Sequence, residues 1–173
     1  MKIVQGDSME SKGKAIKIYD FIKKGAIEQA KEIIITDKRL LDFVTPYGTW
    51  LHAAARAGEL DMIKFLVESG MDINLNEGVP KSAPIAHAAS EGEIGIVEYL
   101  FDNGAILDVS DPNRNPLFSA IYGGHLNIVK YLVQNGIDST VKYTGDTMKE
   151  MGAYEFAIER GEVEIAEYLK MYT

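Results

Sequence analysis

Residues 49–70 read Thr-Trp-Leu-His-Ala-Ala-Ala-Arg-Ala-Gly-Glu-Leu-Asp-Met-Ile-Lys-Phe-Leu-Val-Glu-Ser-Gly, and the glycine at position 58 divides them into two patterns. After Gly58, apolar side chains stand two, five and eight residues on, at Leu60, Ile63 and Leu66. Steps of three stay close to one face of a helix, so a short amphipathic helix is expected there. Gly70, twelve residues after Gly58, ends it where a left-handed backbone is needed. The same frame recurs down the chain. Gly92 is followed by Ile94, Val97, Leu100 and Gly104. Gly124 is followed by Leu126, Val129, Leu132 and Gly136, and Gly161 by Val163, Ala166 and Leu169. The intervals between these first glycines are 34, 32 and 37 residues.

A second pattern precedes each glycine. Thr49 to Ala55, Ala83 to Ala89 (Ala-Pro-Ile-Ala-His-Ala-Ala) and Asn115 to Ile121 (Asn-Pro-Leu-Phe-Ser-Ala-Ile) each read as a short helix with small residues on one side. Asn115-Pro116 is the clearest start, since an Asn side chain caps free N–H groups and proline fits the first helical position. Two short helices repeating at about 33 residues are the pattern of ankyrin repeats. The segments before the glycines resemble the family's Thr-Pro-Leu-His-x-Ala-Ala. The resemblance implies an all-α solenoid of stacked helix-turn-helix units joined by short β-hairpin-like loops. One unit cannot bury its apolar face alone, whereas a stack makes a continuous core with unlike units at its ends.

On this frame residues 1–173 form one domain of about five units, at 8–44, 45–78, 79–110, 111–143 and 144–173, or of four if the first pair of helices is irregular. The first is degenerate, with Gly25 in the glycine place, Ile27, Ala30 and Ile33 at the three offsets, and Ile18, Tyr19, Phe21 and Ile22 on the helix before it. The last is a closing unit, and Thr147-Met148-Lys149-Glu150 has the spacing of a capping box, which predicts an early helix start. With both ends capped, the chain is expected to be complete. It departs from the family in places. His52 alone keeps the motif histidine, its equivalents being Ala86, Phe118 and Glu155; Trp50 stands where the motif has proline; the loop from Ile137 to Asp146 is long.

Composition narrows the function. The formal net charge is −8, distributed as +3 over residues 1–40 and −11 over residues 41–173. An acidic body repels phosphate backbones, so nucleic acid is an unfavourable partner, and it favours encounter with a basic protein. No apolar run is long enough for a membrane span, and Met1 to Glu10 lack the apolar middle of a secretory signal. Without cysteine there are no disulfides or thiolate ligands. A cytoplasmic, monomeric protein is expected.

The sequence offers little chemistry. His52, His87 and His125 are expected in packing or capping roles, with His52 tying adjacent loops together as the resemblance implies. There is no His-Glu-x-x-His pair or Cys/His cluster to hold a metal, and no cofactor is expected. Tyr122-Gly123-Gly124-His125 lacks the lysine ending and preceding strand of a phosphate loop. Glu155, Glu159, Glu162 and Glu164 are expected to form a solvated helix face. No enzymatic activity is expected. The resemblance instead implies protein binding on the concave side, lined by hairpin tips and first helices. Candidate contacts there are Tyr47, Trp50, Arg56, Lys81, Ser90, Glu91, Arg114, Phe118, Tyr122, Glu155 and Glu159; aromatic and arginine side chains are the residue types that dominate contact energy. Such a module would inhibit a basic enzyme, as immunity proteins do, or act as a regulatory or host-directed effector.

Overall fold

The computed structural model describes residues 9–145 and 149–172. Ten α-helices form among them: α1 (Met9–Lys23), α2 (Ile27–Thr36), α3 (Trp50–Ala57), α4 (Leu60–Glu68), α5 (Pro84–Glu91), α6 (Ile94–Asp102), α7 (Pro116–Gly123), α8 (Leu126–Gln134), α9 (Ala153–Arg160) and α10 (Val163–Leu169). Short 3-10 turns follow α2 at Lys38–Asp42 and α10 at Lys170–Tyr172. Consecutive helices pair as hairpins. The first helices α1, α3, α5, α7 and α9 then touch in sequence, and so do the second helices α2, α4, α6, α8 and α10. Two helical layers result, each repeat packed on the next.

The helices are short because glycines stop them. Gly58, Gly92, Gly124 and Gly161 take φ of 74, 86, 75 and 78° at the ends of α3, α5, α7 and α9. A side chain there would meet the penalty of the left-handed region. Helices of eight or nine residues are too short to persist alone in water. Burial between repeats supplies what local propensity lacks. Ala54, Ala55, Ala88, Ala89, Ala120 and Ala157 are fully buried on the first helices, where their small side chains let neighbouring helices approach closely. Gly123 carries this furthest, since a Cβ on it would lie 2.3 Å from the Ser90 carbonyl oxygen.

In α4, α6, α8 and α10 the residues five and eight after the glycine are buried, as the periodicity predicts, whereas in α2 Ala30 is buried but Ile33 is only half-buried and Ile34 takes the inside place. The position two after it is only half-buried in α4, α6 and α8, and Val163 in α10 is 63% exposed. The position four after the glycine, unmarked in the sequence reading, is fully inside: Met62, Ile96, Ile128 and Ile165.

The tips between repeats are hairpin-like, with single bridges Thr45 to Gly48, Glu77 to Ser82 and Tyr143 to Met151 and no longer strand among the described residues. Asn115 caps α7 as predicted, its Oδ1 accepting from the Leu117 N–H at 2.8 Å. Its Nδ2 donates to the Tyr143 hydroxyl (2.9 Å), which donates to the Val109 carbonyl (2.8 Å), so the buried amide is satisfied and ties two tips together. The early start expected for α9 is not found. Thr147 and Met148 lie outside the described residues, while α9 begins at Ala153, with the Glu155 carboxylate accepting from the Gly152 N–H at 3.1 Å.

Candidate functional site

The side chains free of stacking lie on the last turns of the first helices and on the tips before them. The Tyr47 ring, 59% exposed, stacks on Tyr19 of α1 at 6.2 Å and 28°. Arg56, at the end of α3, donates through Nη2 to the Tyr47 carbonyl. Burial lowers the pKa of Arg56, while Tyr19 and Glu91 of α5 oppose that shift. Two repeats further on, the Arg160 guanidinium of α9 sits 4.4 Å from the centre of the Tyr122 ring of α7, which is 58% exposed. Lys81, Glu91 and Glu159 are exposed, and Ser90 is half-buried with its carbonyl facing His125 Nε2 at 3.1 Å. Arg114 pairs with Asp108 at 3.8 Å. Glu155 is held between the Gly152 N–H and Lys142, 3.8 Å away.

Two of the expected contact residues are core residues instead. Trp50 is completely buried, its ring stacked on Phe43 (6.0 Å, 9°) and its Nε1–H donating to the Leu40 carbonyl at 2.6 Å. It fills the space between α3 and the 3-10 turn of the first unit. Phe118 is 4% exposed, stacked on Phe156 at 4.9 Å and edge-on to Tyr143 at 5.0 Å. It occupies the slot of the motif histidine and seals the seam between α7 and α9 with aromatic packing. Neither ring can reach a partner.

The histidines serve the scaffold. Thr49 N–H donates to His52 Nδ1 at 3.1 Å, so Nε2 carries the proton and donates to the Ser82 carbonyl of the next tip at 2.9 Å. The His87 ring stands edge-on to His52 at 5.5 Å, with its Nε2 3.0 Å from the Ser82 hydroxyl. Burial pushes His52 down to about 4 and His87 to about 3, and the charge of Arg56 pushes both the same way. Both rings are therefore neutral near pH 7. Ser82 and His87 form a hydroxyl–imidazole pair, but Ser82 is only 2% exposed, which keeps substrate from its oxygen. Among the described residues no group of His, Asp or Glu is arranged to hold a metal ion, and no helix is long and apolar enough to cross a membrane.

The opposite side of the array carries a ladder that sequence reading missed. Lys31 of α2 lies 6.0 Å from the Phe65 ring of α4, Lys64 of α4 lies 6.0 Å from Tyr99 of α6, and Lys130 of α8 lies 5.6 Å from Tyr168 of α10. In each, a lysine six residues after the repeat glycine covers an aromatic ring seven after the next one. The step from α6 to α8 breaks the rule: Glu98 holds the lysine place, and Phe101 meets Tyr131 edge-on at 6.1 Å instead. The signal was an aromatic residue seven after the glycine in every unit from Phe65 onward, with a lysine six after the glycine at Lys31, Lys64 and Lys130. These side chains pack along the second-helix layer.

Comparison with known proteins agrees with this architecture. The family model for ankyrin repeats (3 copies) matches residues 51–143 and 85–173. Alpha-latrotoxin-Lh1a of Latrodectus hasselti is 41% identical over 68 residues, covering 36% of this chain and 5% of the toxin. Protein phosphatase 1 regulatory subunit 27 of Mus musculus is 34% identical over 97 residues, 56% of this chain and 62% of that subunit. Ankyrin repeat and SOCS box protein 6 of Mus musculus is 31% identical over 90 residues, 50% of this chain and 22% of that protein. The chain thus spans less than two-thirds of the length of each of these relatives. Stacked helix pairs, left-handed glycines at their ends and a matching family model over most of the chain place this protein in the ankyrin-repeat family.

Proposed function

We propose that this chain is a non-enzymatic binding module that docks one protein partner along the concave face of its hairpin tips and first helices. In this reading residues 1–173 act as one five-unit array, a monomer in the cytoplasm. The observation that carries it is the run of exposed or half-buried aromatic and arginine groups on this face, joined across repeats by Tyr19 on Tyr47 and Tyr122 under Arg160 and within one repeat by Tyr47 to Arg56. Rings and guanidinium groups held by neighbours lose little conformational freedom on binding, which favours hot-spot contacts. The excess of 20 acidic over 9 basic residues in 41–173 supports a largely basic partner, recruited in part by charge. The biological role that fits is inhibition of a basic enzyme by covering it, as an immunity protein does. A regulatory-subunit role is the second reading, favoured by the similarity to a protein named as a phosphatase regulatory subunit.

Affinity capture from the protein's own cell extract, with the intact chain and with Tyr122→Ala as baits, tests the reading. The substitution is expected to weaken the partner about tenfold or more. The melting temperature should fall by no more than about 2–4 °C, because only an exposed cation–π contact is lost. Unchanged capture by the variant, or capture insensitive to salt for the electrostatic part, would count against it.

A further inference from the structure

The groove is not uniform along its length. Between α1 and α3 it deepens into a cleft of about 250 Å³. Ile22, Ala53 and Ala57 make its apolar lining, and Tyr19 walls it with a ring already braced by Tyr47. Lys23 and Arg56 also line it. The volume falls below the about 300–1,000 Å³ of sites for small molecules and suits one inserted side chain. Neither Lys23 nor Arg56 forms an ion pair among the described residues. Arg56 has one hydrogen bond to a neutral carbonyl, although its guanidinium offers five donors in a fork that matches a carboxylate. It is half-buried and so has lost part of its hydration without a direct ion pair in return, the opposing charge of Glu91 on α5 acting through space.

We propose that this cleft is the anchor subsite of the docking face, taking a large apolar side chain of the partner together with an adjacent carboxylate. The apolar group rests on Ile22 and Ala53 against the Tyr19 ring, and the carboxylate meets Arg56 and Lys23. The proposal rests on the groove reading and adds a direction to it. The cleft lies at the end where residues 1–40 carry +3, while residues 41–173 carry −11. A partner segment therefore places its acidic anchor over α1 and α3 and its basic surface toward α7 and α9.

The test is a titration of the full-length, nitrogen-15-labelled chain followed by NMR. The probe is the blocked peptide acetyl-Gly-Phe-Glu-Gly-amide. Its controls are a twin with lysine for glutamate, one with glycine for phenylalanine, and inorganic phosphate. The acidic probe is expected to shift the Arg56 Nε–H and the Lys23 and Ala57 amides saturably, with a Kd on the order of a millimolar. The lysine and glycine twins should bind about fivefold more weakly or less. Arg56→Met, which keeps the stem and removes the charge, should weaken the probe about tenfold. Ala57→Trp, at an exposed position, should fill the cleft and abolish the shifts. Equal binding of the twins, the same shifts from phosphate alone, shifts that survive Ala57→Trp, or no saturable shift at Arg56 would each overturn the anchor. If the probe fails while Tyr122→Ala still weakens the captured partner, the anchor falls and the groove reading stands. If the probe passes while that substitution leaves capture unchanged, the anchor stands and the wider groove reading falls.

Discussion

Mild acid should weaken this fold well before its carboxylates titrate, through His52 and His87. In the folded chain burial holds these rings at about 4 and about 3. In the unfolded chain an imidazole titrates near 6.5. Between these limits the unfolded state binds more protons, so stability rises with pH across that window and falls as pH drops through it. At pH 5 each unfolded histidine gains about 2 kcal/mol from protonation that its folded counterpart cannot share. Any folded value of about 4 or lower gives nearly the same figure, so the magnitude rests only on both rings staying neutral in the native state. The loss between pH 7.5 and pH 5 is therefore about 4 kcal/mol for the pair, a large part of a typical 5–15 kcal/mol. Asp37, held at about 2 chiefly by Arg39, stays ionised throughout this range. Urea unfolding at the two pH values measures the effect as a shift in midpoint at constant slope. His87→Gln keeps a neutral polar group beside Ser82 and should halve the loss to about 2 kcal/mol. A loss below about 1 kcal/mol, or an undiminished loss in the variant, would refute the reasoning.

Three further outcomes follow from the packing. Leu100→Ala, at a fully buried site in α6, should cost about 2–5 kcal/mol in denaturant unfolding, and a cost within error would mean the repeat frame is wrong. Gly123→Ala should destabilise by about 1–3 kcal/mol because its Cβ would strike the Ser90 carbonyl oxygen; helix propensity alone predicts a gain of about 0.5–1 kcal/mol, so the sign of the midpoint shift decides between them. Glu98→Lys should restore the missing rung over Tyr131 and add about 0.5–1 kcal/mol, and a lower midpoint would show that the ladder does not stabilise the second-helix layer.

The fold was legible because the signals that set it are local and repeated. Gly58, Gly92, Gly124 and Gly161 mark helix ends, the offsets after them mark the buried face, and Asn115-Pro116 marks a start; all three signals depend on residues a turn or two apart. The candidate site was less legible because exposure depends on the neighbouring repeat. Trp50 stood in the proline place of the motif and read as a groove residue. What buries it is the 3-10 turn at Lys38–Asp42, about ten residues upstream and without a periodic signature. Phe118 could have been placed correctly. It shares its frame position with His52, which is fully buried, and an apolar ring at a buried position belongs inside. The cleft at Tyr19, Lys23 and Arg56 was out of reach, since it joins the degenerate first unit to the second. Glu155, an expected contact residue, is exposed, and its carboxylate also closes the start of α9, a role that the sequence spacing did not mark.

The proposed function divides the molecule: recognition by the first-helix face, stability from the second-helix face. Placing a photo-reactive benzoylphenylalanine at position 122 in one sample and at position 130 in another, then irradiating each in the protein's own cell extract, tests it most directly. A discrete cross-linked partner is expected from position 122 and none from position 130. A partner captured from position 130 and not from 122 would contradict that division.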